Sequence, residues 1–427
     1  MTLPPATRLR LTADWIVPVT SPPIEGGAVL IGADGRIEAV GAAGVVPSPP
    51  GVPNLAFAGA ALMPGLVNAH THLELTGLAG RVEETDFSAW IRGVRQVKAD
   101  LSPEWFLTAA RQGVRDAFAA GITTVFDTGD SGAVLPALVE LGGAGVVYQE
   151  VFGPDPGQCD ESLQGLRSRV ATLASQARGR VRLGVSPHAP YTVSGPLYHA
   201  VAGFAAAEGL PIAVHLAESP AESMLVTRHE GPFAEAWNGR GIPPVALHGR
   251  RPAVARRSPV AWLDAHGVLG PQTLCIHAVQ VDQADIETLA ARQTPIAHCP
   301  RSNTRHGHGV APLVALLAAG LRVGLGTDSV ISVGALDLWA EIRAARRLGG
   351  LTPGQALGLA TLGGARLIGA EAESGWLGVG TFADVIAVEL GHGSENQPVE
   401  SRLLDSGPGN VLATFASGRP VYRRGAA

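Results

Sequence analysis

Residues 65–72, GLVNAHTH, are a short apolar run closed by two histidines one residue apart. Side chains at i and i+2 of a strand share a face, so His70 and His72 can reach one ion from a strand end. Seven further runs of the same kind follow, at Ile122–Asp127, Gly145–Val151, Val181–Ser186, Ile212–Leu216, Thr273–His277, Pro295–Cys299 and Leu321–Asp328. Segments with helical period separate them. Ser102-Pro103-Glu104 opens one helix with an N-cap, a proline at the first position and an acid in the first turn, and Gly121 ends it. Eight strands alternating with helices predict an α/β chain built as a (β/α)8 TIM-like barrel.

Barrel enzymes carry their catalytic groups at the C-terminal ends of the strands. Here His215 stands at the end of the fifth run, one residue before its last, with Glu218 three residues on, the sixth run ends in His277 and the eighth in Asp328, within Gly326-Thr327-Asp328-Ser329. Taken singly, each has an ordinary explanation: a surface pair, a hydrogen-bonded core histidine, a capping aspartate. Together they place three histidines and a carboxylate at one barrel mouth, with another histidine and a glutamate close by. Without an ion, several buried polar groups there would lack partners. This nitrogen and oxygen donor set suits one divalent ion, Zn(II) ahead of Fe(II).

Composition narrows the alternatives. The chain has 427 residues, 46% hydrophobic and 16% charged, which excludes a disordered chain. A net charge of −5 gives no basic field for nucleic acid or anionic lipid. No apolar stretch approaches the roughly 20 residues that span a bilayer. The first residues, MTLPPATRLRLTADW, lack the apolar core of a secretory signal. Cys159, Cys275 and Cys299 are too few and too scattered for a disulfide framework or a CxxC zinc pair, so a cytoplasmic chain is expected. HEXXH and P-loop signatures are absent, and no PCxxC is present to pair with an HxE as zinc cytidine-type deaminases require.

Both ends read as short strands and turns and are expected to pair into one small domain, with residues 1–63 and 367–427 flanking a barrel over 64–366. Asp34-Gly35 marks a hairpin turn, and Ser-Gly-Arg-Pro at 417–420 is turn-like. The longest gap between runs contains GRGIPPVALHGRRPAVARRSP at 239–259, read as an inserted loop that serves as a lid or is simply solvated.

The segments MPGLVNAHTH, VHLAES, LCIHAVQ, AHCPRSN and GLGTDS resemble the amidohydrolase superfamily, in its branch of aminohydrolases and chlorohydrolases. GWLGVGTFADVIAV at 375–388 resembles the same branch, so the likeness covers essentially the whole chain. It implies a distorted barrel with a small β-sandwich domain built from both chain ends. It implies His70, His72, His215 and Asp328 as metal ligands, and catalytic roles for Glu218, His277 and Asp328. Binuclear members commonly bridge two metals with a carboxylated lysine on the fourth strand. The only lysine here is Lys98, after the first strand, so one ion is expected. In that chemistry the ion acidifies a water, Asp328 takes a proton, His277 steadies charge on the attacked carbon, and Glu218 carries a proton to a ring nitrogen. Burial at the mouth is expected to keep Glu218 available to protonate.

SPHAPYTVS resembles the fourth-strand segment of S-adenosylhomocysteine and adenosine-type deaminases, which makes His188 a substrate contact. HTHLE, HCPRSN and GPFAEAW resemble the aminodeoxyfutalosine deaminases of the alternative menaquinone route, whose substrate is an adenosine-like nucleoside bearing a benzoate. Glu74 would then meet a ribose hydroxyl or ring N–H, and an arginine would hold the carboxylate: Arg301 first, then Arg305 and Arg92. The partner implied is this purine-nucleoside-like small molecule, with no nucleic acid and no membrane, in a chain that can form the homodimer common among relatives. The competing readings are S-adenosylhomocysteine, adenosine or guanine deamination, s-triazine dechlorination, and a non-catalytic scaffold, which would have lost ligands.

Overall fold

The structure is a computed structural model and describes residues 7–244, 247, 257–391 and 397–425. The chain opens with β1 (Leu9–Ile16), β2 (Ile24–Ile31), β3 (Ile37–Ala42) and β4 (Asn54–Pro64). Then come β5 (Leu66–Thr71), β6 (Ile122–Gly129), β7 (Ala144–Val151), β8 (Val181–Pro187), β9 (Ile212–Leu216), β10 (Thr273–His277), β11 (Ile296–His298) and β12 (Val323–Leu325). The last strands are β13 (Val385–Glu389), β14 (Val411–Ala416) and β15 (Arg419–Arg423).

β5 to β12 form one parallel sheet in sequence order, with helices between them, as the alternation of apolar runs predicts. The sheet closes on itself where Thr71 bridges Asp328 and the Asp328 N–H donates to His70 O at 3.0 Å. Asn68 completes the seam: its Oδ1 accepts from Thr327 N at 3.0 Å and its Nδ2 donates to Thr327 Oγ1 at 2.8 Å. The approach is tight enough to require glycine at 326, where a Cβ would lie 2.7 Å from His70 N. Inside the barrel, Val67, Phe126, Val146, Tyr148, Leu274 and Ile276 fill the space below the mouth. The barrel is thus a packed core and not a pore.

The two chain ends share a second sheet, in the order β15-β14-β13-β4-β1-β2-β3, which forms the β-sandwich-like domain. Its own core includes Leu11, Ile31, Phe57, Val385 and Phe415. β2 and β3 are the expected hairpin, with Gly35 at φ +78°. In the last hairpin only Ser417 and Gly418 turn, at φ +47° and +74°, the two positive angles that a two-residue loop requires. Arg419 and Pro420 already belong to β15, an edge strand where proline is tolerated. Ser102 caps helix Pro103–Ala119 by accepting from Trp105 N. Most of the expected lid loop lies outside the described residues. No described helix is long and apolar enough to cross a membrane.

Candidate metal centre and active site

His70 and His72 leave the end of β5, His215 sits in β9, His277 ends β10, and Asp328 follows β12 at the seam. One donor atom each from His70, His215 and His277 lies within 4.8 Å of the others, and the same holds for His70, His72 and Asp328. Asp328 Oδ1 is 3.5 Å from His70 Nε2 and 3.4 Å from His72 Nε2. Both ring nitrogens of His70 are buried with no hydrogen-bond partner, as is His277 Nε2. Orphaned imidazole nitrogens converging on one carboxylate are what a divalent ion would satisfy, so these residues fit such an ion. Burial holds His215 well below the ordinary histidine value and His72 down to about 3, which keeps their lone pairs free.

Neighbouring groups fix each donor. His215 Nδ1 donates to His188 O at 3.1 Å, and His277 Nδ1 donates to Asn303 Oδ1 at 2.9 Å. Asp328 Oδ2 accepts from Ser302 Oγ at 2.5 Å and Oδ1 accepts from Ser329 N at 2.6 Å. Burial opposes its charge, but His70, His72 and His277 hold Asp328 well below the ordinary carboxylate range. The backbone is strained where these side chains turn inward, with positive φ at Ala217 (+50°), His277 (+78°) and Asp328 (+61°).

Glu218 lies beside this centre. Its Oε2 accepts from Tyr191 OH at 3.0 Å, and its Oε1 is 3.4 Å from His277 Nε2 and 3.3 Å from His308 Nε2. Glu222 holds it in place by accepting from the N–H groups of Ala217 at 2.7 Å and Glu218 at 2.9 Å. The expectation that burial keeps Glu218 available to protonate needs correction. Burial does oppose its charge, but His277 and His308 outweigh that and bring it down to about 2. Glu218 is therefore an ionised acceptor until a ligand brings it a proton.

The model of the amidohydrolase family matches residues 61–421. The chain belongs to the amidohydrolase family. A 5-methylthioadenosine/S-adenosylhomocysteine deaminase of Moorella thermoacetica is 32% identical over 424 residues, covering 96% of this chain and 93% of that protein. An aminodeoxyfutalosine deaminase of Deinococcus radiodurans is 34% identical over 319 residues, covering 73% and 74%. Among solved structures, an adenosine deaminase of Xanthomonas campestris with bound zinc shares 25% identity at a TM-score of 0.79, over 98% of this chain and 93% of that one. This amidohydrolase is a hydrolase acting on carbon–nitrogen bonds, and its family and donor set call for a divalent metal.

A cavity of about 1330 Å³ opens onto the centre, with His72, His188, His215, Glu218, His277 and Asp328 at its base. His188 is thus on the cavity wall. Glu74 is not. One of its oxygens accepts from Lys98 Nζ at 2.7 Å and the other from Ser131 N at 3.1 Å and Ser131 Oγ, and it lines no part of the cavity. β5 has already ended, and a 3₁₀ turn at Leu73–Leu75 breaks the strand alternation that would have aimed Glu74 at the mouth.

Arg301 also requires correction: it does not line this cavity. Helix Pro300–Arg305 points Ser302 and Asn303 inward, so Arg301 and Arg305 share the opposite face. There they line a second cavity of about 570 Å³, with Arg301 3.6 Å from buried Glu341. Arg92 does line the main cavity, together with Arg95, Arg169 and Arg240. Sequence reasoning gave no role to Tyr191, Asn303, His308 or Glu222, although the first two lie inside the quoted PHAPY and PRSN segments. It also passed over Glu150 at the end of β7, a buried carboxyl that burial pushes well above its ordinary range.

Proposed function

We propose that this amidohydrolase is a hydrolytic deaminase of adenosine-like nucleosides that carry a carboxylate, with 6-amino-6-deoxyfutalosine of the menaquinone route as first choice. One observation carries the reading. The cavity has Glu218 beside His277 and Asp328 at its base, and Arg92, Arg95, Arg169 and Arg240 along its wall. Among the described residues none of these four arginines forms an ion pair within 4.0 Å, so their charge is available to a ligand. A guanidinium matches a carboxylate in shape and charge. The Deinococcus relative supports this choice, and the Moorella relative favours an S-adenosylhomocysteine-type substrate, whose carboxylate would meet the same arginines.

His70, His72, His215 and Asp328 would hold the ion, which supplies a water acidified toward neutral pH. Asp328 is ionised and can take a proton at Oδ1 or Oδ2. His277 has Nδ1 committed as a donor to Asn303, so a proton gained at Nε2 makes it an imidazolium that can donate to oxygen on the attacked carbon. Glu218 Oε1 faces the same space and can pass a proton to a purine ring nitrogen, without which an aromatic amidine resists attack. His188 presents its ring to the bound base.

The test is ammonia release by the metal-loaded protein from aminodeoxyfutalosine, S-adenosylhomocysteine, 5-methylthioadenosine, adenosine and guanine. Aminodeoxyfutalosine should give the highest kcat/KM. A clear preference for S-adenosylhomocysteine selects the second reading. No ammonia from any purine, with one ion bound per chain, sinks the deaminase reading.

A further inference from the structure

Among the described residues, the main centre accounts for two of the three groups of donors in the barrel mouth. The third is Glu150, His188 and His215, with one donor atom from each within 4.8 Å of the others. Glu150 is 5% exposed, and its Oε1 is buried with no hydrogen-bond partner. The nearest ammonium is already committed, since Lys98 donates to Glu74 and Asp130. His188 offers a lone pair to the same space. Its Nδ1 lies 2.8 Å from Thr192 Oγ1, whose own hydrogen goes to Ala189 O at 3.1 Å. Nδ1 is therefore the protonated nitrogen and Nε2 the acceptor. A buried carboxyl oxygen and an imidazole lone pair face one another. Burial favours a proton on Glu150, and a divalent cation can displace that proton and satisfy both groups at once.

We propose that Glu150 and His188 bind a second, weaker divalent cation in the substrate cavity, and that its binding inhibits the enzyme. His215 cannot serve both ions. Its Nδ1 donates to His188 O, so its one lone pair is at Nε2, which the first centre requires. The second ion therefore has two protein ligands from adjacent strands, β7 and β8, with solvent in its remaining positions. Two ligands make it weaker than the first site. An imidazole with a carboxylate selects a borderline ion such as Zn(II) over Mg(II) or Ca(II). The sequence predicts one ion because no lysine stands on the fourth barrel strand, whereas this acid comes from the third. Inhibition follows because an ion on His188 Nε2 takes that nitrogen from substrate. This half of the proposal rests on the proposed substrate role of His188, and the binding half does not.

The experiment is equilibrium dialysis of the full chain against buffered free zinc, with bound metal counted, in wild type and Glu150→Gln. Ammonia release is followed over the same zinc range. Wild type should take up one tight ion and then a second, and lose activity as the second site fills. Glu150→Gln should keep the first ion and its turnover, bind the second at least about tenfold more weakly, and shift inhibition to higher zinc accordingly. Wild type stopping at one ion per chain overturns the proposal, as does Glu150→Gln binding the second ion unchanged. Two ions without loss of activity overturns the inhibitory half. If Glu150→Gln does not fold, His188→Asn must lose the second ion instead. If no nucleoside releases ammonia, the deaminase reading fails while the dialysis still decides the site.

Discussion

Glu222→Gln separates two effects that the structure ties to a single carboxyl. Glu222 is fully buried, and each of its oxygens accepts one backbone N–H, from Ala217 at 2.7 Å and from Glu218 at 2.9 Å. These bonds brace Ala217 at φ +50° and so aim Glu218 into the cavity. Glutamine keeps the size of the side chain but turns one acceptor into a donor. One buried N–H is then left without a partner, at a cost of about 1–3 kcal/mol at any pH. The second effect depends on pH. Burial, together with the Glu218 charge, pushes Glu222 up from 4.5 to about 8, against the pull of the two N–H groups. Between those values the folded chain holds a proton that the unfolded chain has lost. The stability from this group is complete below the unfolded value and is lost as pH rises through the folded one, at about 1.4 kcal/mol per pH unit. Glutamine has no such slope. Urea midpoints of both chains, measured in parallel across this window, give the difference, and groups common to both cancel. Wild type should lead by its widest margin at the acid end, and because the loss across this window exceeds the fixed cost, the lead should vanish and reverse toward the alkaline end. A constant margin refutes the protonated carboxyl. Equal midpoints at the acid end refute the double-acceptor role.

Four further outcomes follow from the site. Glu218→Gln should lower kcat by about 10²–10⁴-fold while metal content stays the same, because the role proposed for this carboxylate is to move protons and not to hold the ion; atomic absorption beside the ammonia assay checks both halves. His70→Ala should leave the purified protein with well under one ion per chain, since two orphaned ring nitrogens lose their reason for burial. Asn303→Ala should cost about 10–100-fold in kcat/KM, because His277 loses the acceptor that fixes its ring. Arg92→Ala should raise KM for a carboxylate-bearing nucleoside and spare adenosine, whereas Arg301→Ala should leave both KM values unchanged, its side chain lying in the other cavity.

The barrel and its ligand ends were legible for one physical reason. A strand buried on both faces is written as an unbroken apolar run, so a histidine or aspartate closing it stands out. His70, His215, His277 and Asp328 all sit within or directly after such runs, where strand geometry alone aims them inward. Glu74 and Arg301 lie one step further along, and there the same logic fails. Strand alternation stops where hydrogen-bonded pairing stops, so a 3₁₀ turn was enough to send Glu74 to Lys98 and Ser131. On helix Pro300–Arg305 the inward direction is set by whichever residues meet the centre. Ser302 and Asn303 do so, and helical spacing then puts Arg301 outside. Glu218 shows a third limit: its burial was legible, but its charge depends on His277 and His308, which arrive from other strands and loops. Each of these reversals concerns a residue that was expected to touch substrate or to carry a proton. The backbone scaffold is dictated by local pattern, and the chemistry is dictated by contacts between segments distant in the chain. Specificity in this family must therefore be read from which arginines and acids face the cavity, and the Arg92 and Arg301 pair is the sharpest place to test that.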